Sequence, residues 1–182
     1  LRSDAINDRH WIEIFRDHTL KEPPANMTLG HVLDLDLVAN EKYFKSAIHK
    51  ALGEKSLEKS INKIQKTWDQ LSFQLFQFND EFRLIKGWDD LFQTITEDLN
   101  ALWSTKMSPY YSAFEKTINQ LEEKLSNVQC VLDMWIDVQR QWIYLSGVFE
   151  KNDEIRKLLP LESNRFYNTS SEFHSLMKKV YK

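Results

Sequence analysis

Apolar residues along this chain recur mainly at steps of three and four, the spacing that stacks side chains on one face of an α-helix. The clearest run is Phe114, Ile118, Leu121, Leu125, Val128, Leu132 and Trp135, and it continues through Val138 or Gln139 to Trp142 and Phe149. Ser108-Pro109 precedes it, a capping residue followed by a proline suited to the first helical position. The spacing predicts one long central helix over about 109–147. At ~1.5 Å per residue such a helix is roughly 55–60 Å long, more than a compact globule of this size needs. An elongated multi-helix bundle uses a rod of that length.

The same reading places shorter elements on either side. Ser3 is positioned to cap a helix to about Asp17 with Leu1, Ala5, Ile12 and Phe15 on one stripe and Trp11 beside it, and Pro23-Pro24 then set a stiff connector. Thr28 can cap a short helix from Leu29 to Leu33, and Asp34 or Asp36 can start the next, whose face carries Leu37, Phe44, Ile48 and Leu52. Gly53 reads as a C-cap or a kink. Beyond it Leu57, Ile61, Ile64, Trp68 and Leu71 form another helical face. Aromatic density then changes the period: Phe73, Leu75, Phe76, Phe78, Phe82, Leu84 and Ile85 surround Asn79-Asp80-Glu81 and stop at Gly87. That pattern predicts the chain's single small β-hairpin, about 72–86, with 72–78 paired to 82–86. After Gly87 a helix carries Trp88, Phe92, Ile95, Leu99 and Leu102, with Asp89 and Asp90 near its N-terminus. Asn152 or Asp153 caps a short helix to Leu158, and Pro160 opens a last one with Phe166, Phe173, Leu176 and Val180 inward. The fold class is therefore mainly α.

Composition narrows the class. Hydrophobic residues at 42% exclude a disordered chain, and only four Gly and four Pro argue against a loop-rich or sandwich fold. A net charge of −3 gives no basic excess for a phosphate backbone, so nucleic acid is not an expected partner. The single Cys130 excludes an internal disulfide and a multi-cysteine metal site, and it suits a reducing compartment. No apolar run approaches the roughly 20 residues that span a bilayer, so no membrane partner is expected. The chain begins at Leu1 and ends within a helical pattern, and it reads as a fragment of a longer protein.

Candidate chemistry is sparse. The glycines at 30, 53, 87 and 147 form no phosphate-cradling loop before a Lys-Ser or Lys-Thr pair. Asp89-Asp90 with Glu97-Asp98 would be needed for a magnesium site, yet adjacent residues on a helix point about 100° apart. The plainer reading is charge complementing the helix dipole. His10, His18, His31, His49 and His174 are dispersed and read as surface or helix-end residues. Cys130 lies beside the long apolar seam and reads as a small packing residue. The stretch 134–145 is apolar on two sides, with Trp135 and Trp142 facing one way and Ile136, Ile143 and Tyr144 another. A helix of that kind is central in a bundle or wedged between two units.

That stretch also carries a family resemblance. Asp133-Met134-Trp135-Ile136-Asp137-Val138-Gln139-Arg140-Gln141-Trp142-Ile143-Tyr144-Leu145 resembles the W-x-x-V-Q-x-x-W-x-Y-L signature of dynein heavy-chain linkers. Asp8-Arg9-His10-Trp11, Thr28-Leu29-Gly30, Asp34-Leu35-Asp36-Leu37, Leu84-Ile85-Lys86-Gly87-Trp88-Asp89-Asp90-Leu91-Phe92 and Met107-Ser108-Pro109-Tyr110-Tyr111 match in order upstream. Val148-Phe149, Asp153-Glu154-Ile155, Leu158-Leu159-Pro160-Leu161-Glu162 and Phe166 follow downstream. The Gly87-Trp88-Asp89-Asp90 and Ser108-Pro109-Tyr110-Tyr111 motifs are similar to the cytoplasmic class. Ser146-Gly147 departs from the acidic residue usual after Tyr-Leu.

The resemblance implies the tail-proximal part of a mechanical arm that moves over an AAA+ ring and delivers the power stroke of a microtubule motor. It implies no catalytic residue, metal or cofactor in this segment, with ATP and magnesium bound elsewhere in the parent ATPase. Its partners would be the AAA+ ring of the same heavy chain and the remaining linker and tail, with the microtubule reached only indirectly. Cytoplasmic, microtubule-associated localisation follows from the same resemblance. Residues 1–182 would form part of one linker region, with 1–107 a helical subdomain carrying the hairpin and 108–182 a long-helix bundle continuing into the rest of the linker. Trp11, Trp88, Trp135, Gln139, Trp142, Tyr144, Leu145 and Pro160 would be its signature core residues. The competing reading is a passive α-helical adaptor that binds protein partners. A helical-bundle enzyme using the acidic pairs is a third.

Overall fold

The computed structural model describes residues 4–19, 28–78 and 83–180. The roles expected of Leu1, Ser3, Pro23-Pro24, Asn79-Asp80-Glu81 and Phe82 lie outside these residues. Among the described residues, α-helices α1 (Asp8–Thr19), α2 (Leu29–Leu33) and α3 (Glu41–Gln70) precede the hairpin β1 (Gln74–Gln77) and β2 (Arg83–Lys86). Helices α4 (Trp88–Thr105), α5 (Glu115–Phe149), α6 (Asp153–Leu158) and α7 (Pro160–Val180) follow. The fold is mainly α with one small antiparallel hairpin, as the sequence predicts. Its register pairs Gln74 with Lys86, Leu75 with Ile85, Phe76 with Leu84 and Gln77 with Arg83.

Several boundaries differ from the sequence reading for identifiable reasons. Helix α1 starts at Asp8, where the Asn7 carbonyl accepts from the His10 and Trp11 amides. Ala5 therefore lies outside the helix, the stripe counted from Leu1 does not hold its phase, and Ile14 is buried while Ile12 is exposed. Asp34 caps the end of α2, and Asp36 adopts a left-handed turn at φ 44°, so α3 begins only at Glu41. Gly53 neither ends nor caps a helix; α3 runs through it for 30 residues. Its bare Cα admits the Tyr110 ring, for a Cβ there would stand 2.1 Å from Cε2 of that tyrosine. Ser108-Pro109 does not open the long helix either. The Ser108 hydroxyl accepts from the Tyr110 amide, forming a local turn, and a 3-10 turn over Tyr111–Ala113 follows before α5 starts at Glu115.

With 35 residues, α5 is about 52 Å long at ~1.5 Å per residue. Its buried seam takes Ile118, Leu121, Leu125, Leu132, Ile136, Gln139, Trp142, Ser146 and Phe149, whereas Val128 is exposed. Helix α7 buries Ser163, Phe166, Ser170, Phe173 and Met177 at strict three-four steps. Leu176 and Val180 fall off that stripe and are exposed.

The chain divides into two compact units. The first comprises Leu1–Asp69 and Ala101–Gln120, and the second Gln70–Asn100 and Leu121–Lys182. In the first, Ile14, Phe15, Leu35 and Phe44 form a core joined by Trp11, Leu37, Tyr43 and Ala47. In the second, Leu84, Trp142, Phe149, Phe166, Phe173 and Met177 form a core joined by Phe76, Trp135, Ile143, Val148 and Ile155. The hairpin thus groups with the C-terminal helices rather than with the N-terminal ones, because Leu84 belongs to the aromatic core of α5 and α7.

Candidate functional site

The most specific polar geometry in the second unit lies where β2 turns into α4 against α5. Among the described residues, strand β2 has β1 on one edge only. Ile85 sits opposite Leu75 with its amide and carbonyl turned away from that partner. Gln139 of α5 meets both groups: its Oε1 accepts from the Ile85 amide at 3.0 Å and its Nε2 donates to the Ile85 carbonyl at 2.8 Å. Gln139 is fully buried and Ile85 nearly so, so the side-chain amide stands in for the missing third strand at this position. Two residues on, Gly87 turns the chain at φ 67°, a conformation that favours glycine. Trp88 then opens α4, and the Arg140 guanidinium lies 5.3 Å from the centre of its ring. Consecutive residues of α5 thus hold points on either side of one corner.

Beneath this corner the core is aromatic. Trp142 packs tilted on Phe173 at 5.2 Å, and Phe149 stacks on Phe166 at 5.3 Å. Trp142 also donates its indole N–H to the Ser170 hydroxyl at 3.0 Å, which makes sense of a serine on the buried stripe of α7. The Trp135 indole N–H is buried and has no acceptor among the described residues.

The first unit is fastened differently. Three side chains of α1 reach across to α3 in antiparallel order. His10 meets Glu54 at 2.9 Å, Glu13 accepts from Lys50 at 2.8 Å, and Asp17 accepts from the Tyr43 hydroxyl at 2.8 Å. His10 and Glu54 are both buried, and Arg9 adds a 2.5 Å contact to the same Glu54 oxygen. The Asn7 amide donates to Nδ1 of His10, so the network assigns the imidazole proton to Nε2, which donates to Glu54. Arg9 also lies 5.0 Å from the centre of the Phe114 ring. Burial, then the Asp17 hydrogen bond and the negative charges of Asp17 and Glu13, push the Tyr43 hydroxyl up to about 12.

Among the signature residues, Gln139 and Trp142 are in the core, while Trp11, Trp88 and Trp135 are half-buried. Three stand elsewhere: Tyr144 is 72% exposed, Leu145 37%, and Pro160 is also on the surface. Helical phase explains the first two, since the buried seam passes through Trp142 and Ser146 and leaves 144 and 145 on other faces. Pro160 is the first residue of α7, where its missing amide costs nothing. Val131, Met134, Val138 and Leu145 continue a second apolar stripe on α5 that is exposed. Cys130 is exposed too, off the buried seam.

No three His, Cys, Asp or Glu residues among those described are grouped to hold a metal ion. Asp89 and Asp90 lie in the first turn of α4, and Glu97 accepts from Gln93. None of the described helices is long and apolar enough to cross a membrane. Sequence reading missed the Glu54 network, although a signal existed: Glu54 falls in phase with Phe44, Ala51, Leu57 and Ile61. A charged residue on an apolar stripe needs a buried partner.

The family profile "Dynein heavy chain, N-terminal region 2" matches residues 1–182. The chain is 48% identical over 184 residues to the cytoplasmic dynein heavy chain of Neurospora crassa, covering 100% of this chain and 4% of that protein. Identity to the Drosophila melanogaster cytoplasmic dynein heavy chain is 40%, covering 100% of this chain and 4% of the relative. For the Dictyostelium discoideum cytoplasmic dynein heavy chain the identity is 41%, over 99% of this chain and 4% of the relative. The chain therefore spans a small part of the length of these relatives. With the profile matched from end to end and identity at this level across fungal, insect and amoebal proteins, the chain belongs to the dynein heavy chain family, as part of its N-terminal region 2.

Proposed function

We propose that this chain is a non-catalytic, load-bearing segment of the linker of a cytoplasmic dynein heavy chain, passing ATP-driven change in the AAA+ ring toward the cargo-binding tail. The whole-length family match carries this reading. Its physical support is stiffness. Helices α3 and α5 run for 30 and 35 residues without a break, and their seams are packed within each unit. A helix with continuous backbone hydrogen bonds resists bending, and side chains that cross between elements resist sliding. The partners in this reading are the ring of the same heavy chain and the rest of its linker and tail, in the cytoplasm on microtubules. ATP and magnesium belong to the ring.

Deleting residues 1–182 from the full-length heavy chain tests the proposal. The expected outcome is a ring that still hydrolyses ATP and a motor that no longer moves microtubules in a gliding assay. Unimpaired gliding would overturn it and leave the passive-adaptor reading in its place.

A further inference from the structure

We propose that Gln139 is a register clasp: its amide locks β2 to α5 so that the hairpin, the Gly87 corner and the start of α4 shift with α5 as one body. The consequence for movement rests on the linker reading above; the clasp itself rests on this fold alone. The aromatic core around Leu84 and Trp142 holds β2 close to α5, but apolar contact is non-directional and discriminates between neighbouring registers less sharply than a paired donor and acceptor do. Displacing the Gln139–Ile85 pair by one residue strands a donor and an acceptor on each partner, all buried, and none of the four can turn to water. This buried amide pair therefore opposes shear between β2 and α5. Arg140 on Trp88 adds a second, more exposed hold just past the turn. The left-handed Gly87 between the two makes the corner short, so that a hold on Ile85 and a hold on Trp88 fix the direction in which α4 departs.

The test uses the full heavy-chain motor with Gln139→Met, which keeps length and apolar bulk while removing the amide, and Gln139→Glu. Hydrogen exchange at the peptide containing Ile85 is read beside ring ATPase and gliding velocity. For Gln139→Met the Ile85 amide is expected to exchange about tenfold faster or more, the size of effect that follows from an unmade buried hydrogen bond. Gliding distance per ATP hydrolysed falls severalfold, with ATPase retained. Gln139→Glu loses protection at Ile85 as the pH is raised and recovers it as the pH is lowered, because burial favours the protonated carboxyl, whose neutral form offers one acceptor and one donor, while ionisation removes the donor. That recovery carries the test should Gln139→Met fold poorly, and a Gln139→Glu protein whose Ile85 amide stays unprotected on acidification overturns the clasp. Unchanged protection at Ile85, or lost protection with unchanged coupling of ATP to movement, overturns the clasp. If deletion of 1–182 stops gliding while the Gln139 variants stay fully coupled, the clasp falls and the linker reading stands; if the deletion glides, the linker reading falls with it.

Discussion

The first unit ties α1 to α3 with a ladder of polar side chains, whereas the second packs its hairpin and α7 onto α5 around a core of aromatic rings. In the first, His10–Glu54, Glu13–Lys50 and Asp17–Tyr43 follow one another along the helix pair. In the second, Leu84, Trp142, Phe149, Phe166, Phe173 and Met177 share one core, and Gln139–Ile85 and Trp142–Ser170 are buried polar bonds within it. The difference has a physical consequence. A polar ladder specifies which residues meet, but each exposed rung contributes little and responds to pH and salt. An aromatic core contributes much more and depends less on either.

The largest expected effect therefore lies in the second unit. Trp142→Ala removes the ring at the centre of the core and leaves the Ser170 hydroxyl without its indole partner. The expected loss is about 3–5 kcal/mol in urea unfolding, independent of salt. A loss below about 1 kcal/mol would show that the second unit is not held by its rings. In the first unit Glu54→Ala strands the His10 N–H in the core and removes the counter-charge of Arg9. Its expected cost is about 2–3 kcal/mol. Glu54→Gln retains an acceptor for His10 and costs about half as much, and that gap is the signature of a polar fastening. Equal losses for the two substitutions would mean that Glu54 matters only as packing.

How much of this was legible before folding depends on the range of the signal. The hairpin, the Thr28 cap of α2, the Asn152 cap of α6 and the Pro160 start of α7 are set by residues within a few positions of each other, and each lies where the sequence places it. Gly53 and Ser108-Pro109 carry the same kind of local signal, yet both mislead. Gly53 answers to Tyr110, 57 residues away in the chain, and this contact has no local trace. The clasp is an intermediate case. Gln139 sits visibly on an apolar seam, which marks it as a buried polar group in need of partners, but its partner is the backbone of Ile85, which no side-chain pattern encodes. The family resemblance singled out Gln139 without giving it this task. Tyr144 and Leu145 show the converse: membership of a signature does not place a residue in the core of this chain.

The smallest effect sharpens the contrast because its size depends on pH. Tyr43 is half-buried, and its hydroxyl donates to Asp17 Oδ2 at 2.8 Å. Its pKa rises from the ordinary 10.0 to about 12 in the folded chain, so the unfolded chain loses this proton first as pH rises. The stability contributed by Tyr43 is then fully present below pH 10.0 and is lost between there and about pH 12. Tyr43→Phe removes the hydroxyl and with it this contribution to alkaline destabilisation. Because solvent reaches the pair, the cost of Tyr43→Phe at neutral pH is expected to be below about 1 kcal/mol. Lysines also titrate in this window, so the informative quantity is the difference between the two proteins: urea-unfolding curves should be separated at pH 8 and converge as the pH approaches about 12. Curves that stay parallel across that range would mean that the Asp17–Tyr43 rung does not hold in solution. The ladder of the first unit would then rest on its buried His10–Glu54 rung and on the half-exposed Glu13–Lys50 pair.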